Sequence, residues 1–212
     1  TTLRDIVIAV QTEIPLIKQH LSDQLWALRG HGTHGVRWNR LTGESVNLAI
    51  APSRATSLRH GYATICRFFP GGRDVSAAID DALATRLLGP RSRDDALVFE
   101  DQYACTGGQV YGLAMGQDRL IADLRPLLKA TLAARGEQLG HCCHPYDICT
   151  ALVAQEAGAV IRDPHGDSLT APLDTATDVG WIGYANQSLR EHAEPVLLDL
   201  LAEFELTAGC DE

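Results

Sequence analysis

The sequence predicts an α/β fold in two parts, a strand-rich sheet over residues 1–58 and a mixed α/β region over residues 59–212. Three observations predict it. The chain has 212 residues with 45% apolar content, enough to bury a core as one large domain or one and a half smaller ones. Short β-branched runs separated by turn residues crowd its first part. Helical spacing, bounded by Pro and Gly, dominates the rest.

In order along the chain, Asp5 to Gln11 is a β-branched apolar run and reads as the first strand, followed by a second at Gln24 to Arg29. Val36 to Trp38 and Ser45 to Ile50 read as short antiparallel strands around the Leu41-Thr42-Gly43 turn. Pro52 to Leu58 is the expected crossover, leading into a strand at Tyr62 to Phe68 and a Pro70-Gly71-Gly72 turn. Ile79, Leu83 and Leu87 recur at helical spacing within Val75 to Leu88, and Gly89-Pro90 closes that helix. Further on, Leu97 to Glu100 and Leu120 to Ala122 read as short strands, Gln109 to Met115 as a helix, and Arg125 to Ala134 as mixed. Glu194 to Glu203 is the final amphipathic helix.

Charge and composition exclude several classes of function. A net charge of −9 and a pI near 5.3 argue against a nucleic acid polymer or an anionic membrane as partner, since phosphate polymers demand a basic face. No apolar run approaches the roughly 20 residues of a membrane span, and the opening segment lacks a basic n-region. A cytoplasmic chain is expected. Six cysteines at irregular spacing (Cys66, Cys105, Cys142, Cys143, Cys149 and Cys210) read as buried thiols in a reducing compartment, not as a disulfide framework.

Two motifs invite readings that their context weakens. Gly30-His31-Gly32-Thr33-His34-Gly35 matches Gly-x-Gly-x-x-Gly, but Val36-Arg37-Trp38 continues as strand, so a hairpin is expected where a dinucleotide site would need a helix. His141-Cys142-Cys143-His144 holds four zinc-ligand types, yet adjacent cysteines do not easily share one tetrahedral ion and no second pair lies at structural-site spacing.

The most informative residue is Asp147. Pro145 supplies a helix-compatible φ, Gly158 a left-handed terminator, and Ile148, Ala151, Leu152 and Ala157 an apolar face between them. One helix is therefore expected from Pro145 to Gly158, buried against a sheet with its positive dipole end at a cleft edge. Asp147 stands in its first turn. A carboxylate there either stabilises its own helix or serves a metal or phosphate site.

Tyr146-Asp147, a small-residue helix ending Glu156-Ala157-Gly158, the strand Ala159-Val160-Ile161 and the turn Asp163-x-x-Gly166 together resemble the second signature of the inositol monophosphatase family. Tyr146 stands where the family usually has Trp, and Ala159 where a second Gly is common. Leu25-Trp26-Ala27-Leu28-Arg29-Gly30-His31-Gly32-Thr33 resembles the strand and Gly-x-Gly hairpin of its amino-terminal half. Thr106-Gly107-Gly108-Gln109, followed by an apolar helix, resembles its substrate-contact turn, so the resemblance spans nearly the whole chain.

The resemblance implies an inositol-monophosphatase-like layered α/β sandwich (αβαβα) with its amino-terminal part missing. It implies magnesium-dependent hydrolysis of a small phosphate monoester, of inositol, a sugar or a nucleotide, with Mg²⁺ activating water and neutralising phosphoryl charge. Asp147 would be a metal ligand, Thr106 and Gly107 would contact the phosphorylated substrate, and Glu156 would be structural. The Glu that often precedes the Asp is not carried over, because Glu137 is at the wrong spacing. A homodimer is the assembly common in the family.

The family's first signature, Asp-Pro-Ile-Asp-Gly-Thr, belongs before Val7-Ile8-Ala9-Val10, and the sequence opens at Thr1 with Met115 its one methionine. The expectation is that these residues are roughly the carboxy-terminal two-thirds of a longer protein, with the catalytic residues upstream of Thr1. Two alternatives stand beside it: a non-catalytic pseudoenzyme or binding subunit, and a zinc-stabilised module built on His141 to His144.

Overall fold

The computed structural model describes residues 1–90 and 96–207. Four strands, β1 (Ile8–Thr12), β2 (Leu21–Leu28), β3 (Thr33–Asn39) and β4 (Ser45–Asn47), form an antiparallel sheet in sequence order. The second sheet has the order β5-β6-β8-β7, from β5 (Tyr62–Ile65), β6 (Asp118–Asp123), β7 (Val160–Arg162) and β8 (Trp181–Tyr184). In it β5 runs parallel to β6, while β8 pairs antiparallel with both β6 and β7. The first sheet ends at Asn47 and the second begins at Tyr62.

Two helices lie between the sheets, α2 (Thr106–Ala114) and α5 (Ala151–Ala157), which pack on each other; α5 also contacts β1 and β2, and α2 contacts β6 and β8. Strand alternation sends Leu25 and Ala27 of β2, Ile121 of β6 and Trp181 of β8 into this layer, where they meet Val110, Leu113 and Val153. Leu120, Ala122, Ile182 and Tyr184 point the other way. They form a second core with α1 (Arg73–Leu88) and α6 (Gln187–Glu203), which cover the far face of the second sheet. The layers are sheet, helices, sheet, helices. The outer face of the first sheet carries Ile8, Val10, Leu28 and Trp38, all at least 43% exposed.

Several elements depart from their sequence expectation. The helix expected to run unbroken from Pro145 is two, α4 (Pro145–Ile148) and α5, because the backbone at Thr150 leaves the helical region (φ −89, ψ 7). Its terminator is as expected, with Gly158 at φ +111. Leu97 to Glu100 forms only an isolated bridge from Phe99 to Tyr62, not a strand. The last helix starts at Gln187, not Glu194, since Asn186 caps it by accepting the Leu189 N–H at 2.9 Å and Pro195 is carried inside. Arg125 to Ala134 is a 3₁₀ turn (Arg125–Leu128) leading into α3 (Lys129–Ala134).

Strand β8 has no counterpart in the sequence reading. Its Trp181-Ile182-Gly183-Tyr184 run is short and interrupted by Gly183, where a Cβ would stand 2.4 Å from Leu113 Cδ1. Glycine is required there by the approach of α2, which dilutes the β signal.

Candidate functional site

Thr106 and Asp147, distant in sequence, stand on helices that pack on each other, Thr106 at the start of α2 and Asp147 in α4. Thr106 is buried. No side chain caps the start of α2, where Cys105 is extended at φ −147, so the N–H groups of its first turn face outward. Gly107 borders an adjoining cleft, and its carbonyl accepts from Gln11 Nε2 of β1.

Asp147 uses Oδ2 to accept the His144 N–H at 2.9 Å, the bond of a helix cap. The His144 ring is set between two carboxylates, Nδ1 3.7 Å from Asp147 Oδ2 and Nε2 3.7 Å from Asp178 Oδ1. It stacks on Tyr146 with ring centroids 5.2 Å apart and lies 5.1 Å from the His141 ring. Behind this cluster Asp123 and Arg125 form a buried pair, 0% and 4% exposed. Arg125 donates from Nε to Asp123 Oδ1 at 2.8 Å, from Nη2 to Oδ2 at 2.6 Å and from Nη1 to the His141 carbonyl at 2.6 Å. Its guanidinium also sits 4.4 Å over the Phe68 ring. The pair therefore fixes the segment that carries the imidazoles.

Asp178 and the Asp123–Arg125 pair were not legible as site residues, and His144 was legible only as a zinc-ligand type. Asp123-Leu124-Arg125 did carry a signal: opposite charges two apart at the end of an apolar strand have no solvent to face and must pair.

Magnesium needs near-octahedral oxygen ligation. Among the described residues no group of three or more His, Cys, Asp or Glu side chains is placed to hold a metal ion. One Asp147 oxygen is already committed to the helix cap, and an imidazole separates Asp147 from Asp178. These residues do not by themselves fit Mg²⁺. Zinc fits no better: Cys142 and Cys143 are buried, turn their thiols to the Gly140 and His144 carbonyls, and have both been pushed up to about 12 by burial.

Glu156 plays the structural part expected of it. Its two carboxylate oxygens accept the Gly30 and Gly32 N–H groups, each at 2.9 Å, and Thr33 Oγ1 donates to the Val153 carbonyl at 2.6 Å. The Gly-x-Gly segment is a hairpin turn with φ +78 at Gly30 and +76 at Gly32, and it receives a carboxylate from α5. The Gly30 N–H is the main cause of a Glu156 carboxyl held below its ordinary value. Such a carboxylate adds stability that is present above the unfolded value and lost as pH falls through the folded one. Glu156→Ala is expected to cost about 1 kcal/mol at pH 7, the lower part of the range for charge-assisted bonds because the group is partly solvated. Urea denaturation should show the difference shrinking toward pH 3.

The sequence matches no family model and no curated protein. Solved structures do match. Leishmania major fructose-1,6-bisphosphatase in its T-state superposes with TM-score 0.59 at 10% identity, over 95% of this chain and 55% of that one. The apo form of that enzyme gives 0.56 at 12% identity, over 92% and 56%. The chain has the fold of that fructose-1,6-bisphosphatase. A further match, an inositol monophosphatase–fructose 1,6-bisphosphatase, has TM-score 0.49 at 17% identity, over 92% of this chain and 69% of that one. The chain thus spans little more than half the length of the Leishmania enzyme, and the layered α/β architecture expected from the resemblance is the one it adopts.

Proposed function

We propose that this chain belongs to a phosphate-monoester hydrolase and receives the phosphate of a small ester at the edge where α2 and α4 begin. The observation that carries this reading is the uncapped first turn of α2, at Thr106 and Gly107, on a helix that packs against α4, the helix that carries Asp147. Backbone N–H groups at the start of a helix attract an anion through both their hydrogens and the helix dipole. The phosphatase names of the fold neighbours agree with that chemistry. Inositol, sugar and nucleotide phosphates are the substrate classes of the proposal. Its cation is magnesium, with Asp147 as one ligand, and further oxygen ligands beyond those the described residues bring here are required.

Amide shifts of the labelled chain, followed by NMR during titration with inorganic phosphate and inositol monophosphate, test the binding half. The largest shifts are expected at Thr106 to Gly108; unmoved amides there overturn the reading. In turnover assays with added magnesium, these 212 residues are expected to hydrolyse phosphate monoesters no faster than background. Robust turnover would show that a complete ligand set lies within the sequence.

A non-catalytic binding role is the second reading, favoured by the incomplete donor set. No helix among the described residues is long and apolar enough to cross a membrane. A cytoplasmic setting is part of the proposal, supported by the five described cysteines, all unpaired; Cys210 lies outside the described residues. So is a homodimer, supported by the apolar outer face of the first sheet.

A further inference from the structure

A cleft of about 890 Å³ runs along the outward face of α2, within the size range of small-molecule pockets, roughly 300–1,000 Å³. Its floor is Gly107, Gly108 and Tyr111. One wall comes from the segment after β1 and from β3, and carries Glu13, Lys18, His20 and Arg37. Arg37 is already committed, donating to the buried Asp23 at 2.6 and 2.7 Å. The opposite wall, from the second sheet and the segment before α2, contributes Thr64, Asp101 and Asp118, with Gln109 beneath them.

That second wall offers acceptors and no cation. Gln109 is 2% exposed and spends its Nε2 on Cys66 Sγ at 3.1 Å and the Tyr103 carbonyl at 3.0 Å, which leaves a buried Oε1 with no partner. The Asp118 and Asp101 carboxylates make no hydrogen bond or ion pair among the described residues. Asp118 lies against the α2 backbone, where a Cβ at Gly112 would stand 2.0 Å from its Oδ2. This is the carboxy-terminal half of the helix, the end whose dipole repels an anion and favours a cation. A neutral donor would satisfy Gln109 but leave the half-buried Asp118 carboxylate uncompensated, and the described residues give no three-ligand metal group. A group with several N–H donors and a positive charge answers all of them.

We propose that this wall of the cleft, formed by Asp118, Asp101 and Gln109, binds the ammonium group of a primary amine or polyamine. The site lies toward the end of α2 opposite Thr106 and is independent of the phosphate reading. Burial, with Asp101 adding to it, pushes the Asp118 carboxyl up to about 6. The charged groups facing the cleft from its other wall are Glu13, Lys18, His20 and Arg37. Binding should therefore be strongest with Asp118 ionised, above pH 6, and should weaken as it protonates.

Calorimetric titration with 1,4-diaminobutane at low ionic strength, with 1,4-butanediol as the uncharged control, tests this. The diamine is expected to bind at pH 7.5 and at least fivefold more weakly at pH 5, and the diol not to bind. Asp118→Asn should weaken binding tenfold or more, while Glu137→Gln, an exposed carboxylate elsewhere, changes it less than twofold. The Asn variant keeps the shape of the side chain. Because a carboxyl with a raised folded value opposes folding once ionised, the variant should melt higher than the parent above pH 6 and alike near pH 4, which shows that it folds. Equal losses in Asp118→Asn and Glu137→Gln would reduce the effect to diffuse attraction by a chain of net charge −9 and overturn the proposal. Absence of binding, or equal binding of the diol, would also overturn it.

Discussion

Arg125→Met is expected to destabilise the protein by about 3–5 kcal/mol, because it strands the Asp123 carboxylate in an apolar core with neither charge partner nor water. Asp123 is wholly buried, and Arg125 supplies its two shortest hydrogen bonds. The same substitution frees the His141 carbonyl and removes the guanidinium stacked over Phe68, so the loop leading into α4 should loosen as well. Urea denaturation of the single variant, of Asp123→Leu and of the double variant measures the coupling. The double variant should recover most of the loss, since removing both charges leaves none unpaired. Additive losses would show that the pair is not a unit.

Asp147→Asn, made in the longer protein expected to carry the remaining metal ligands, is expected to lower divalent-cation-dependent phosphate-ester hydrolysis by about two orders of magnitude or more, while moving the melting temperature little. Asn retains an oxygen to accept the His144 N–H, and so keeps the cap, but loses the negative charge that a hard cation requires. Loss of kcat with an unchanged melt supports the ligand role. Near-normal turnover at saturating magnesium would leave Asp147 as a helix cap alone, the bonding its Oδ2 already displays.

The sequence by itself determined the antiparallel run of the first sheet and the end of α1 at Leu88. It also determined the hairpin character of the Gly-x-Gly segment. All of these rest on local signals: alternation, helical spacing, and glycines needed at positive φ, such as Gly30, Gly32 and Gly158. Asp147 was also visible, because Pro145 and Gly158 frame it. Its surroundings were not.

Tertiary structure alone decided that the expected helix breaks at Thr150, that Gly183 belongs to a central strand, and that Asp123 pairs with Arg125 beneath the imidazoles. It also decided that α2, which begins at Thr106, packs on α4, which carries Asp147. Strand β8 pairs with both β6 and β7, and the Leu113 side chain of α2 packs against its Gly183. The acceptor-lined cleft, likewise, needs Asp101, Gln109 and Asp118 brought together from three separate segments. Such features depend on contacts between residues far apart in the chain, and spacing along the chain encodes only contacts between near neighbours.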